Sequence, residues 1–166
     1  MKAAIATCAL IVSTAALGWS ATEKRIDLAT VITKADAEAV LGEPVKDAQR
    51  RNNEAGDGYY SRCNYYAANS RKSLVLRVRQ VTNGKLDAKK EFQMVSAGTG
   101  KLRWVDNLGD RAGVYTSGPQ SGLSRVLMLY VAKANTLVTI GLGGLDDENV
   151  AIEKAKALAH KILKQL

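Results

Sequence analysis

Apolar and polar positions divide this 166-residue chain into a short head and a longer body. In the head, Met1-Lys2 is a cationic start, Ala3 to Leu17 is apolar and uncharged, and Gly18-Trp19-Ser20 brings small residues before charge resumes at Glu23. That order is the order of an export signal. Its apolar run is roughly 15 residues, whereas a spanning helix needs roughly 20, so a cleaved signal (residues 1–21) is expected in preference to a signal-anchor. Cleavage is expected after Ser20 or Ala21, leaving no stable membrane span. Cys8 sits near the start of the run rather than at its end, where a lipid-anchoring motif needs it.

The body, residues 22–166, patterns as a single α+β domain. Thr33 and Asp36 form a capping box, Ala35 to Leu41 carry a helix, and Gly42 and Pro44 stop it. Lys46 to Gly58 is polar, with Asn52-Asn53 and Gly56-Asp57-Gly58, and reads as an exposed loop. Tyr59 to Ala67 and Ser73 to Val81 read as strands of a hairpin across Ala68 to Lys72. Asn83-Gly84 ends it, and a second helix is expected over 86–97, where Ala88, Phe92 and Val95 recur at helical spacing. Gly98-Thr99-Gly100 stops that helix.

Arg103 to Val105 and Arg111 to Thr116 read as short strands around Asn107-Leu108-Gly109-Asp110, and Ser117 to Gly122 as a loop. Arg125 to Lys133 and Thr136 to Leu142 form the strongest hairpin, turning at Ala134-Asn135. Asp146-Asp147-Glu148 opens a last helix, where the helix dipole favours acids. Its expected buried stripe is Ala151, Ala155, Leu158, Ile162 and Leu166, with Lys154, Lys161 and Lys164 facing water. Consecutive strands without helices between them argue against a doubly wound parallel fold. The expectation is an antiparallel sheet of about five or six strands with helices packed on one face.

Chemistry is sparse. His160 is the sole histidine, and no Gly-x-Ser-x-Gly elbow accompanies it. His160 and Cys63 are too few for a structural zinc site, and the acids at 146–148 lack calcium-loop spacing. Gly141-Leu142-Gly143-Gly144 lacks the further residues of a phosphate loop or dinucleotide fingerprint. No cofactor or metal is expected, and no catalytic residue. Once the signal leaves, Cys63 has no partner for an internal disulfide and reads as a buried strand residue.

Charge adds more. The formal net charge is +8, or +7 (8 − 1) without Lys2. In an exported protein this points away from nucleic acid and toward an anionic envelope component or an acidic protein surface. Alternation in the first hairpin gives the charge a place. If Cys63, Tyr65 and Ala67 pack with Leu74, Leu76 and Val78, the other face carries Tyr60, Arg62, Asn64 and Tyr66 beside Val75, Arg77 and Arg79. An in-register hairpin sets Arg62 across from Arg79, a like-charge pair that a bound anion would relieve. Tyr60, Arg62, Tyr66, Arg77 and Arg79 are therefore the candidate ligand-binding residues. The alternative is a solvated face whose arginines splay apart.

Three stretches carry a family resemblance: Ile32 through Pro44 (ITKADAEAVLGEP), Cys63-Asn64-Tyr65, and Leu108-Gly109-Asp110-Arg111-Ala112 followed by Leu137 to Ile140 and an Ala-rich helix. In these the chain resembles small exported bacterial proteins of unknown function, related to mycobacterial-type secreted lipoproteins and to extracellular sensor domains of receptor Ser/Thr kinases. The resemblance implies an α+β sandwich that binds or senses a ligand without catalysis. The chain departs from it in lacking the lipobox cysteine and a partner for Cys63. Val40-Leu41-Gly42-Glu43-Pro44 is also similar to the helix end of small envelope-assembly and inhibitor modules. The expected function is thus a periplasmic or secreted, non-enzymatic binding or sensor-type domain. The alternatives are an envelope protein-interaction accessory factor or inhibitor, acting through a loop such as 46–58, and then a hydrolytic enzyme.

Overall fold

Period-two alternation in the strands builds the molecule, because it separates two faces of one sheet before any helix packs. The computed structural model describes residues 24–82, 87–98, 102–118 and 125–166. The expected export signal, Cys8, Asn83-Gly84, Thr99-Gly100 and residues 119–122 lie outside the described residues. The elements are α1 (Leu28–Val31), α2 (Lys34–Leu41), β1 (Gln49–Ala55), β2 (Gly58–Tyr66), β3 (Ser73–Val81), α3 (Ala88–Gly98), β4 (Arg103–Trp104), β5 (Arg111–Thr116), β6 (Val126–Lys133), β7 (Thr136–Gly143) and α4 (Glu148–Leu163). The strands form one seven-stranded antiparallel sheet in the order β1-β2-β3-β7-β6-β5-β4. Two meanders, β1-β2-β3 and β4 to β7, join where β3 pairs with β7.

The α+β class and antiparallel sheet are as expected, with seven strands rather than five or six. The extra strand is β1, expected as loop. Every residue of β1 is exposed, so it has no apolar alternation to read. It is a strand because its backbone completes the hydrogen bonds of β2, from Gln49 opposite Asn64 to Ala55 opposite Gly58. Gly58 is required there: its φ is +151°, and a Cβ would fall 2.2 Å from the Gln80 carbonyl oxygen.

The first face carries the main core. Cys63 and Tyr65, then Leu74, Leu76 and Val78, then Val138, Ile140 and Leu142, then Leu127, Leu129 and Val131 all point to it. α1, α2 and α4 cover them, with α4 contributing Ala151, Ala155, Leu158, Ala159, Ile162 and Leu163. Leu166 was expected in that stripe. It is 46% exposed, because the helix ends at Leu163 and the chain leaves the core. Lys154, expected in water, is half-buried and donates to the Val40 carbonyl at 2.7 Å, satisfying a C-terminal carbonyl of α2. α2 opens on the Thr33–Asp36 capping box and closes on Gly42 at φ +74°.

The helices do not all share this face, contrary to expectation. α3 lies on the other one, seating Ala88 and Phe92 on Tyr130, Ala132 and Leu137. The cause is in β6 and β7, which are buried at consecutive positions rather than alternate ones. A strand apolar on both sides needs cover on both sides. Trp104 stacks on Phe92 with ring centroids 5.9 Å apart.

The segment before α2 is tied to the sheet by buried and half-buried hydrogen bonds. Ile26 N donates to Gln80 Oε1 at 2.7 Å, Gln80 Nε2 donates to the Lys24 carbonyl at 2.9 Å, and Leu28 N donates to Ser61 Oγ at 2.9 Å. The Tyr65 hydroxyl donates to the Ile32 carbonyl at 2.7 Å. Gln80 is 7% exposed. Replacing it by Ala strands the Ile26 N–H, which should lower stability by about 1–3 kcal/mol. A urea midpoint equal to wild type would contradict this role.

Candidate functional site

Two rows of side chains cross the second face. In the first, Arg51, Arg62 and Arg77 are direct cross-strand partners on β1, β2 and β3, and the row continues through Thr139 and Tyr130. In the second, Asn53, Tyr60, Arg79, Leu137 and Ala132 stand side by side. At a strand spacing of about 4.8 Å, the three arginine Cα atoms of the first row span about 10 Å. Arg62 therefore faces Arg77, not Arg79 as the in-register reading had it; Arg79 faces Tyr60. The like-charge opposition is nonetheless present, and Arg51 extends it to three.

A cavity of about 530 Å3 opens over these rows. The three arginines, Tyr60, Arg79, Thr139 and Tyr130 line it from the sheet, and Glu91 and Val95 line it from α3. Four of the five expected site residues, Tyr60, Arg62, Arg77 and Arg79, thus come together. Tyr66 does not line the cavity; it sits at the end of β2, beside Asn64 rather than on the arginine row.

Arg79 differs from its neighbours. Its guanidinium bonds Asp57 at 2.7 Å and Glu91 at 2.6 Å and lies 5.0 Å from the Tyr60 ring centroid. Burial opposes its charge, but the hydrogen bond and charge of Glu91 outweigh that and raise its pKa. The Tyr60 hydroxyl donates to Asp57 at 2.7 Å; that bond, helped by the Arg79 charge, holds the Asp57 carboxyl below its ordinary value. Arg79 is thus already neutralised, and it pins α3 to β3. Neither acid was readable as its partner, since Asp57 lies 22 residues before it and Glu91 on a separate helix.

Arg51, Arg62 and Arg77 have no carboxylate within ion-pair distance among the described residues. The Asn64 amide, turned with its oxygen toward Arg62, accepts from Nη2 at 2.9 Å and Nε at 3.2 Å, which fixes that guanidinium without neutralising it. Beyond Arg77, Tyr130 is 7% exposed, yet its hydroxyl makes no hydrogen bond to any described residue. Burial raises its pKa, and the Arg77 charge works against that rise. Apart from the Asn64 oxygen on Arg62, the row is therefore a line of donors without acceptors among the described residues. Arg51, Thr139, Tyr130, Val95 and Met128 were not read as site residues from the sequence. Arg51 was hidden in an unrecognised strand, and the others come from strands and a helix distant in the chain.

Other groups stay apart. His160 is on the exposed side of α4, and Cys63 is buried on the first face, where burial pushes its thiol pKa up. Among the described residues no three His, Cys, Asp or Glu side chains converge as a metal site, and no helix is long and apolar enough to cross a membrane. No protein-family model matches the chain, and no curated protein matches it in sequence.

Two predictions concern the electrostatics. Glu91→Gln breaks the Arg79 pair and should destabilise the protein by about 1–3 kcal/mol; an unchanged urea midpoint would contradict the pinning of α3. Asp36 and Asp57 both sit below the ordinary 3.8 in the folded protein. Burial works to raise Asp36, but hydrogen bonds from Lys161 and Thr33 prevail. On acidification the unfolded chain therefore takes up these protons first. Their contribution is complete above about pH 5 and declines below about pH 4 as their native pKa values are approached. Urea midpoints between pH 2.5 and 6 should show this fall, and the Asp36→Asn/Asp57→Asn double variant should flatten it.

Proposed function

We propose that the protein is an exported, non-enzymatic binding domain that takes an anionic ligand on the row Arg51–Arg62–Arg77. The observation that carries this reading is the contrast between Arg79, which has two carboxylates, and the three arginines beside it, which have none among the described residues. Like charges directly opposite on a sheet cost about 0.2–1 kcal/mol per pair. A fold that needed only solubility would spread this charge. Concentrated along one edge of a cavity, it matches a ligand with several acceptor oxygens, for which arginine forks are suited. The apolar run at Ala3 to Leu17 supports export, and the net charge of +8 is consistent with anionic envelope partners. The resemblance to secreted and sensor-type domains leads the same way.

A second reading has its own observation. β1 is a sheet edge, exposed along all of Gln49–Ala55, so an extended acidic segment of an envelope partner could add to it as a strand. This is the accessory-factor or inhibitor alternative.

The test is calorimetric titration of residues 22–166 with inorganic phosphate, citrate and sulfate at low and high salt. The Arg62→Ala/Arg77→Ala variant should lose at least tenfold in affinity for whichever of these wild type binds. Arg77→Gln should in addition raise thermal stability slightly at low salt, an effect that salt removes. Equal affinity in wild type and the double variant would sink the anion reading, and an anion-independent pull-down lost on Arg50→Pro would favour the edge-strand reading.

A further inference from the structure

The cavity is wider than an inorganic anion requires, and its chemistry changes from one end to the other. At about 530 Å3 it falls within the range of small-molecule pockets, about 300–1,000 Å3. The donors Arg51, Arg62, Arg77, Thr139 and Tyr130 form one row. Val95 from α3 and Met128 and Leu137 from the sheet supply apolar lining, and these belong to the small second core under α3. The remaining end holds Glu91, whose Oε2 is buried with no hydrogen-bond partner among the described residues, and Arg79, whose Nε is in the same condition. With Asp57 that end carries two carboxylates to one guanidinium, which repels an anionic group. A charged head is therefore directed to the arginine row, and whatever it is attached to meets Val95, Met128 and Leu137.

We infer that the ligand is an anionic amphiphile: a phosphate or carboxylate head on the Arg51–Arg62–Arg77 row, with an acceptor toward the Tyr130 hydroxyl, and a short apolar chain or ring beneath α3. This rests on the anion reading above and narrows its substrate class. Two sources share that chemistry, the headgroup end of an acidic lipid and a free soluble amphiphile. Met128 suits such a site, because its unbranched thioether adapts to tails of different shape. Gly141 gives it room: a Cβ there would meet Met128 Sδ at 2.9 Å.

The test is titration of residues 22–166 with inorganic phosphate, butyl phosphate and octyl phosphate below their aggregation limits, with octyl glucoside as the neutral control. Each methylene buried under α3 should tighten binding about fourfold, so butyl phosphate should bind at least tenfold more tightly than inorganic phosphate. Met128→Gln, which keeps the volume, should abolish most of that gain, bringing the butyl phosphate affinity to within about threefold of that for inorganic phosphate. Arg62→Ala/Arg77→Ala should lose both. If inorganic and alkyl phosphates bind alike, the amphiphile inference falls and the anion reading stands. If none binds at low salt, both fall.

A parallel arm uses phosphatidylglycerol and phosphatidylcholine vesicles. Monomeric alkyl phosphate binding with lipid recovered on the protein from the acidic vesicles assigns a lipid headgroup, and the same binding with silent vesicles assigns a soluble amphiphile. Binding to acidic vesicles with none to the monomers places the interaction outside the cavity and overturns the proposal.

Discussion

A sheet has two faces, and this chain has helical cover for one and part of the other. That constraint organises the molecule. On the first face, alternate residues of β2, β3, β7 and β6 are apolar and three helices close over them. On the second, the apolar residues that seat a helix belong to β6 and β7, and α3 covers them. Apart from Val75, the central rows of β1 to β3 have charged and polar residues and tyrosine there instead. The boundary between the covered and uncovered parts is where the cavity lies. It is a consequence of how far the apolar pattern extends across the sheet.

The Arg79 pair fixes that boundary. It joins β3 to α3 through Glu91 and to the β1–β2 turn through Asp57. Its side chain and that of Glu91 are each 17% exposed, so the pair is only lightly screened by water. Because this one arginine is committed to the architecture, the arginines in the adjacent row are left as the ones with charge to offer. Fold and site thus divide neighbouring residues of one type by where carboxylates happen to be.

Much of the fold was legible because local signals agreed with tertiary ones. Thr33, Asp36 and Gly42 bound a helix whether or not it packs, and Leu74, Leu76 and Val78 can share only one face. What was not legible had no local signal. β1 is a strand through its partner's backbone, and its side chains carry no pattern. The seat of α3 was written in the doubly apolar run of Leu127 to Ala132, which reads equally as a strong strand on a single core. The candidate site followed the same division. Alternation alone brought Tyr60, Arg62, Arg77 and Arg79 to one face, because β2 and β3 are neighbours in the chain. It could not tell the free arginines from the paired one, since Asp57 and Glu91 arrive by tertiary folding. A register shifted by two residues also separates Arg62 opposite Arg79 from the observed Arg62 opposite Arg77.

The central claim is that charge on the second face is available at Arg51, Arg62 and Arg77 and spent at Arg79. It is tested most directly by following the arginine Nε–Hε resonances by NMR while butyl phosphate is added to the protein. The account predicts saturable shifts at Arg62 and Arg77, with Arg51 following, while Arg79 and the ion-paired surface residues Arg25 and Arg103 stay in place. Shifts centred on Arg79, or a weak drift shared by all surface cations, would contradict it.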